Sequence, residues 1–124
     1  MSTATGTNAT GVATVQLLSG NGWTTACPLD LLESGRGVAV LLPGGAQAAL
    51  FRDRAGRLYA IGNVDPFTGA AVLAHGLLGA VDGRTYVASP LLKQRFDLAT
   101  GRCLDDDTVA VAGYPVRVAQ LPPM

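Results

Sequence analysis

The sequence predicts an all-β domain whose antiparallel strands close into a barrel or sandwich. Three observations lead there. No stretch of the 124 residues carries an apolar stripe at helical spacing over the length of a helix. Turn signals recur at short intervals, Asp82-Gly83 foremost, a pair suited to the positive φ angles of a tight hairpin. Between the turns stand short runs rich in Val, Leu, Ile and aromatic residues, the pattern of a meander.

Length and composition bound the rest. A chain this long forms one domain that buries about two-thirds of its extended surface. With 48% apolar residues it needs no staples for its core. Nine basic residues balance nine acidic ones, which argues against a nucleic-acid partner, because no excess of cations is left to release counterions from phosphate. Asp105-Asp106-Asp107 would repel a phosphate backbone further.

Taken in order, residues 1–14 are small, polar and without period, and read as a disordered tail. They lack the basic start and apolar run of a secretion signal. Val15 to Leu18 reads as a short edge strand. Trp23 to Cys27 reads as the first core strand, with Trp23 and Thr25 on one face. Pro28 to Ser34 suits one helical turn, Pro28 being pre-set for its first position. Gly37–Leu42 and Ala46–Arg52 form a hairpin around Pro43-Gly44-Gly45, and Asp53–Gly56 turns the chain into Arg57–Ile61.

Gly62 to Gly69 is dense in turn formers. Asn63 and Asp65 there are expected to bond nearby backbone amides rather than a metal. Gly76–Val81 and Arg84–Ala88 pair through Asp82-Gly83. The second of these strands runs into the loop Ser89–Leu92, where Pro90 is a fixed point. In Gln94–Leu98 the alternation puts Phe96 and Leu98 on one face, Arg95 and Asp97 on the other. Thr100-Gly101 makes a turn, Cys103-Leu104 closes the hairpin, and the three aspartates solvate its end. Tyr114–Ala119 is the final strand, with Val116 and Val118 facing in, and 121–124 is a tail. The folded domain therefore spans 15–120.

Catalytic constellations are missing. Cys27 and Cys103 are too few for a disulfide framework and read as reduced thiols, although a bridge between them stays open. His75 is the single histidine, so a triad or a zinc site lacks parts. Ser89 has no Gly-x-Ser-x-Gly context, and no glycine-rich loop joins a strand to a helix. No catalytic, cofactor-binding or metal-binding residue is expected. Every long uncharged stretch is interrupted by Gly or Pro, so no membrane span is expected and the cytoplasm is the expected location.

Certain motifs carry a resemblance. Ser89-Pro90-Leu91-Leu92, followed by Arg95-Phe96-Asp97-Leu98 and Thr100-Gly101-Arg102-Cys103, resembles the second cluster loop of a Rieske iron–sulfur domain. That family has Cys-Pro-x-His there, then an aromatic-Asp strand and a Thr-Gly turn. The first loop, Cys-x-His in the family, is best matched by Asn63-Val64-Asp65, with Pro66 next. The resemblance implies a Rieske-like barrel or sandwich with two cluster-type loops and degenerate ligand positions at Asn63, Asp65, Ser89 and Leu92. A Rieske centre needs two thiolates and two imidazoles. Asn63–Phe67, Val72–Leu77 and Val87–Phe96 are similar to one branch of that family, the small subunits of soluble NAD(P)H-dependent nitrite reductase. The similarity covers residues 21–119, and Ala74-His75-Gly76 departs from the branch's Ser-Arg-Gly.

The resemblance implies a small, non-catalytic subunit that docks on a large subunit carrying FAD, siroheme and a [4Fe–4S] cluster, which reduces nitrite to ammonium. The chain itself would hold no cofactor. Its two loops would form a tip displaying Val64, Pro66, Phe67, Leu91 and Leu92. Leu92 is expected to fill the place of the cluster, the alternative being a place in the core of an interface; Phe67 and Leu91 are expected to touch the partner, and Lys93 and Arg95 to steer its approach. The alternatives are a free-standing binding or regulatory module on the same frame, and a ferredoxin-type electron carrier, for which these loops supply no ligands.

Overall fold

In this computed structural model, which describes residues 12–121, ten strands form three antiparallel sheets. They are β1 (Val12–Ser19), β2 (Gly22–Pro28), β3 (Gly37–Leu41), β4 (Gln47–Arg52), β5 (Leu58–Gly62), β6 (Leu77–Val81), β7 (Arg84–Ala88), β8 (Arg95–Asp97), β9 (Gly113–Tyr114) and β10 (Val116–Leu121). The sheet orders are β9-β5-β4-β3, β10-β1-β2 and β6-β7-β8. Short 3-10 turns at Leu29–Leu31 and Leu73–His75 are the only helical segments among the described residues.

The four-stranded sheet lies in the middle. Ala48-Ala49-Leu50-Phe51 on β4 are all fully buried, an unbroken apolar run of the kind a strand covered on both faces requires. Ala48 and Leu50 pack with Val15 and Leu17 of β1. Ala49 and Phe51 pack with Leu73, Val87 and Phe96 on the other side. The all-β sandwich is thus built as expected, with one apolar cluster on each face of β4 and β5.

The hairpin turn between β6 and β7 is also as expected. Asp82 and Gly83 both take positive φ, 50° and 76°, which matches the twist of the paired strands. At the Thr100-Gly101 turn glycine is required twice over: its φ is 81°, and a Cβ there would collide with the Val111 carbonyl.

Three local expectations are corrected. First, β1 is a central strand and β2 an edge strand, the reverse of the sequence reading. Strand β10 returns from the far end of the chain to pair with β1, Val116 opposite Leu17 through Leu121 opposite Val12. That pairing buries Val15 and Leu17 and leaves Trp23 on β2 at 38% exposure. Arg117 stacks on the Trp23 ring at 4.0 Å and its Nε donates to Gln16 at 2.8 Å. Second, Val118 shares a face with Val15 but stands on the edge strand and stays 46% exposed. Third, Pro28 (φ −59°, ψ 141°) is extended and precedes the helical turn instead of opening it. Beyond these, Asp97 is buried, a point that alternation leaves open. Its Oδ1 accepts the Ala99 amide at 2.8 Å, its carbonyl accepts the Gly101 amide, and Arg84 lies 3.6 Å from Oδ2. The turn folds back over it.

Strand pairing begins at Val12, inside the span read as a tail, because Val12–Thr14 have β10 to bond to. Residues 1–11 and 122–124 of the two expected tails lie outside the described residues.

Candidate functional site

The two loops of interest leave β5 and β7 at one end of the sandwich. In the first, Asn63 is nearly fully buried because every polar group it has is used. Its backbone amide donates to the Gln47 carbonyl at 3.0 Å, its Nδ2 to Gln47 Oε1 at 3.1 Å, and its Oδ1 accepts the Ala74 amide at 2.7 Å. Asp65, fully buried, shapes the turn that follows. Its Oδ1 accepts the Phe67 amide at 2.8 Å, and its carbonyl accepts the amides of Thr68 and Gly69. Asp65 thus shows the turn chemistry expected of it, whereas the Asn63 side chain reaches Gln47 and Ala74, 16 and 11 positions away, and ties its loop to distant chain instead.

In the second loop Ser89 is the counterpart. Its amide donates to the Gln94 carbonyl at 2.9 Å, and its carbonyl accepts the Lys93 amide at 3.1 Å. Lys93 closes this loop at φ 69°, a left-handed conformation that an L side chain adopts at a cost of about 1–2 kcal/mol. The Ser89 hydroxyl accepts the Leu91 amide at 3.3 Å and donates to Asp65 Oδ2 at 2.6 Å. That last bond crosses from one loop to the other.

Of the four positions that the sequence matches to cluster ligands, Asp65 and Ser89 meet, Asn63 is buried against Gln47 and Ala74, and Leu92 stands apart. Asn63, Asp65 and Ser89 are buried at 2%, 0% and 0% exposure, whereas Leu92 is 55% exposed. Leu92 does not fill a buried site: the Asp65–Ser89 bond joins the loops directly, and the Leu92 side chain stays in solvent. It stands outside the tight Ser89–Lys93 turn beside Leu91, which is 50% exposed.

The tip residues divide by task. Val64 (45% exposed) and Pro66 flank Asp65 on the outside, and Lys93 is exposed. Phe67 is half-buried, its ring 6.3 Å from that of Phe96 in the core. Arg95 is committed elsewhere. Its Nη2 and Nε lie 2.8 and 3.2 Å from the Asp105 carboxylate, its amide donates to the same group at 2.8 Å, and its guanidinium sits 5.5 Å from the Tyr86 ring centre. The Arg95 side chain, and then its amide, hold the Asp105 carboxyl below the usual range. Asp105 therefore does more than solvate a hairpin end. Nothing local in the sequence signals this pair, which spans ten positions.

A cluster-bearing Rieske domain holds a [2Fe–2S] centre between two such loops, and the residues present here do not fit one. Asn63, Asp65 and Ser89 offer only an amide, a carboxylate and a hydroxyl, each already hydrogen-bonded within the protein, and Leu92 has no donor atom. Thiolate and imidazole, the ligands that iron in such a centre takes, are both missing here. Cys103 is packed in the core with Phe96, and Cys27 belongs to the opposite sheet, where burial pushes its thiol up. Both cysteines are free, and His75 is exposed. Among the described residues no group of three His, Cys, Asp or Glu side chains could hold a metal ion. Among the described residues no helix is long and apolar enough to cross a membrane.

Comparison with known proteins agrees with this geometry. The family described as "Rieske-like [2Fe-2S] domain" matches residues 22–121. A nitrite reductase (NADH) small subunit from Salmonella typhimurium is 43% identical over 97 residues, 77% of this chain and 89% of that one. The crystal structure of an NADH-dependent nitrite reductase small subunit from Mycobacterium tuberculosis superposes with a TM-score of 0.74 at 51% identity, covering 80% of this chain and 95% of the other. A nitrite reductase [NAD(P)H] large subunit from Klebsiella oxytoca is 42% identical over 96 residues, which are 77% of this chain and only 10% of that longer one.

Proposed function

The chain belongs to the Rieske-like [2Fe-2S] domain family and, within it, to the nitrite reductase small subunits, and we propose from this that it serves as the non-catalytic small subunit of an NAD(P)H-dependent nitrite reductase. The observation that supports the reading is the Asp65–Ser89 bond, which ties together two of the positions that the resemblance matches to cluster ligands. With those groups consumed, the chain has no redox centre in its loops, and its contribution is to dock on a larger catalytic subunit. The Klebsiella relative supports such a pairing, since a region like this domain forms a tenth of a chain named as a large subunit. The partner would carry FAD, siroheme and a [4Fe–4S] cluster and would perform the reduction of nitrite to ammonium. Two free thiols suit a reducing cytoplasm.

The tip is the docking face in this reading. Val64, Leu91 and Leu92 are large apolar side chains left in solvent around a rigid turn, with Lys93 at their edge. Such a cluster marks an interaction site more often than chance exposure. Of the four residues expected at the interface, Leu91 and Lys93 keep that role. Phe67 and Arg95 support the tip from beneath.

Co-expression of the tagged chain with the large-subunit gene tests the whole reading. A coloured, stoichiometric complex whose nitrite-reducing activity or stability falls when the small chain is withheld is the expected result. A chain that purifies alone, beside an unaffected large subunit, would defeat it.

A further inference from the structure

We infer that Asp65 and Ser89 are positioning residues, a buried lock that holds the two loops in the shape the partner recognises; this rests on the docking reading above. Among the described residues, their 2.6 Å bond is the one hydrogen bond that joins the Asn63–Gly69 loop to the Ser89–Gln94 loop. It is also tied into both loop backbones. Asp65 Oδ1 holds the Phe67 amide, and Ser89 Oγ holds the Leu91 amide. The Ser89 hydroxyl is thus oriented from both sides, donating to the carboxylate and accepting from Leu91. The Ser89 carbonyl meanwhile holds Lys93 in its left-handed conformation.

These partners frame the exposed side chains. Val64 and Pro66 are the immediate neighbours of Asp65, and Leu91 and Leu92 lie within three positions of Ser89. Fixing Asp65 to Ser89 therefore fixes the spacing of the two apolar halves of the tip. Where a cluster would cross-link the loops through metal, a serine hydroxyl and a carboxylate do so here. Ordering that is complete before association does not have to be supplied by the partner, and affinity rises accordingly.

The test uses the full chain and the purified large subunit. In Ser89→Ala, amide hydrogen exchange at Phe67 and Leu91 should rise about tenfold or more, because local opening no longer breaks a buried bond. Affinity for the large subunit should fall by about tenfold, mostly as faster dissociation. Asp65→Asn keeps an acceptor for Phe67 and can bond Ser89 with the donor reversed, so it should lie near the wild type in both measurements. Should Ser89→Ala fail to fold, Ser89→Cys, which preserves volume and weakens the bond, carries the same comparison.

Unchanged exchange at both amides overturns the lock. Faster exchange with undiminished affinity overturns its role in docking. A wild-type chain that does not bind the large subunit at all counts against the docking reading instead, and the exchange measurement still decides the lock.

Discussion

Ser89 Oγ lies 2.6 Å from Asp65 Oδ2, across 24 positions of sequence, and neither side chain reaches solvent. A carboxylate oxygen buried with a single close donor is expensive to orphan. Ser89→Ala should therefore lower the unfolding free energy by about 1–3 kcal/mol, the usual penalty for leaving a buried polar group unpaired. Urea denaturation followed by tryptophan fluorescence measures it. A loss below a few tenths of a kcal/mol would mean that water replaces the hydroxyl freely.

Iron should not enter these loops. Expressed anaerobically with iron and sulfide supplied, the isolated chain is expected to be colourless, because neither thiolate nor imidazole faces the Asp65–Ser89 pair. Iron analysis and visible absorption check it. Two irons per chain, the content of a Rieske centre, would contradict the donor assignment.

Pro90 fixes a dihedral between Ser89 and the exposed leucines. Pro90→Gly enlarges the unfolded ensemble and should lower stability by about 0.4–1 kcal/mol. An unchanged or raised melting temperature would show that the hydrogen bonds of Ser89 alone shape the loop.

Docking through the tip predicts a separation of effects. Lys93→Glu combined with Leu92→Ser touches two exposed side chains, so stability should stay within about 0.5 kcal/mol of the wild type. Association with the large subunit should weaken and lose part of its salt dependence. Binding at low and moderate salt reads both. Arg95→Glu is a poor probe of the same surface, since it would break the pair with Asp105 and the stacking on Tyr86. Wild-type affinity in the Lys93/Leu92 variant would place docking elsewhere on the sandwich.

Asp105 should leave a trace in acid. Its carboxyl is held below the ordinary value by hydrogen bonds from Arg95, so the folded state favours the ionised form. That contribution is fully present above the unfolded value of about 3.9 and disappears as pH falls through the lower folded one. The pair is partly exposed and screened, so the effect is small. Asp105→Asn should make the loss of stability below about pH 4 shallower, as urea midpoints over a pH series would record. An identical acid limb in the variant would mean the pair adds nothing.

Much of this protein was legible in short windows. Asp82-Gly83 and Pro43-Gly44-Gly45 announce their hairpins because turn geometry depends on the residues that make the turn. The lack of cluster ligands was equally plain, since it follows from the identity of the side chains at four positions. Asp65 could be read as a turn former for the same reason, since it holds the Phe67, Thr68 and Gly69 amides, whereas the partners of Asn63, Gln47 and Ala74, come from distant chain.

Tertiary structure decided the rest, wherever a residue's surroundings come from distant chain. Val12–Ser19 is central because β10, about a hundred positions away, pairs along it. That same return makes Trp23 an edge residue. Alternation correctly placed Asp97 opposite Phe96, but only the fold of the following turn and the approach of Arg84 bury it. Leu92 could not be placed from its neighbours either. Whether it fills a hole or faces solvent depends on the gap between two loops, and a hydrogen bond between Asp65 and Ser89 sets that gap. Backbone preference is local and is written residue by residue, whereas burial and pairing belong to the sheet order, which no short stretch of sequence contains.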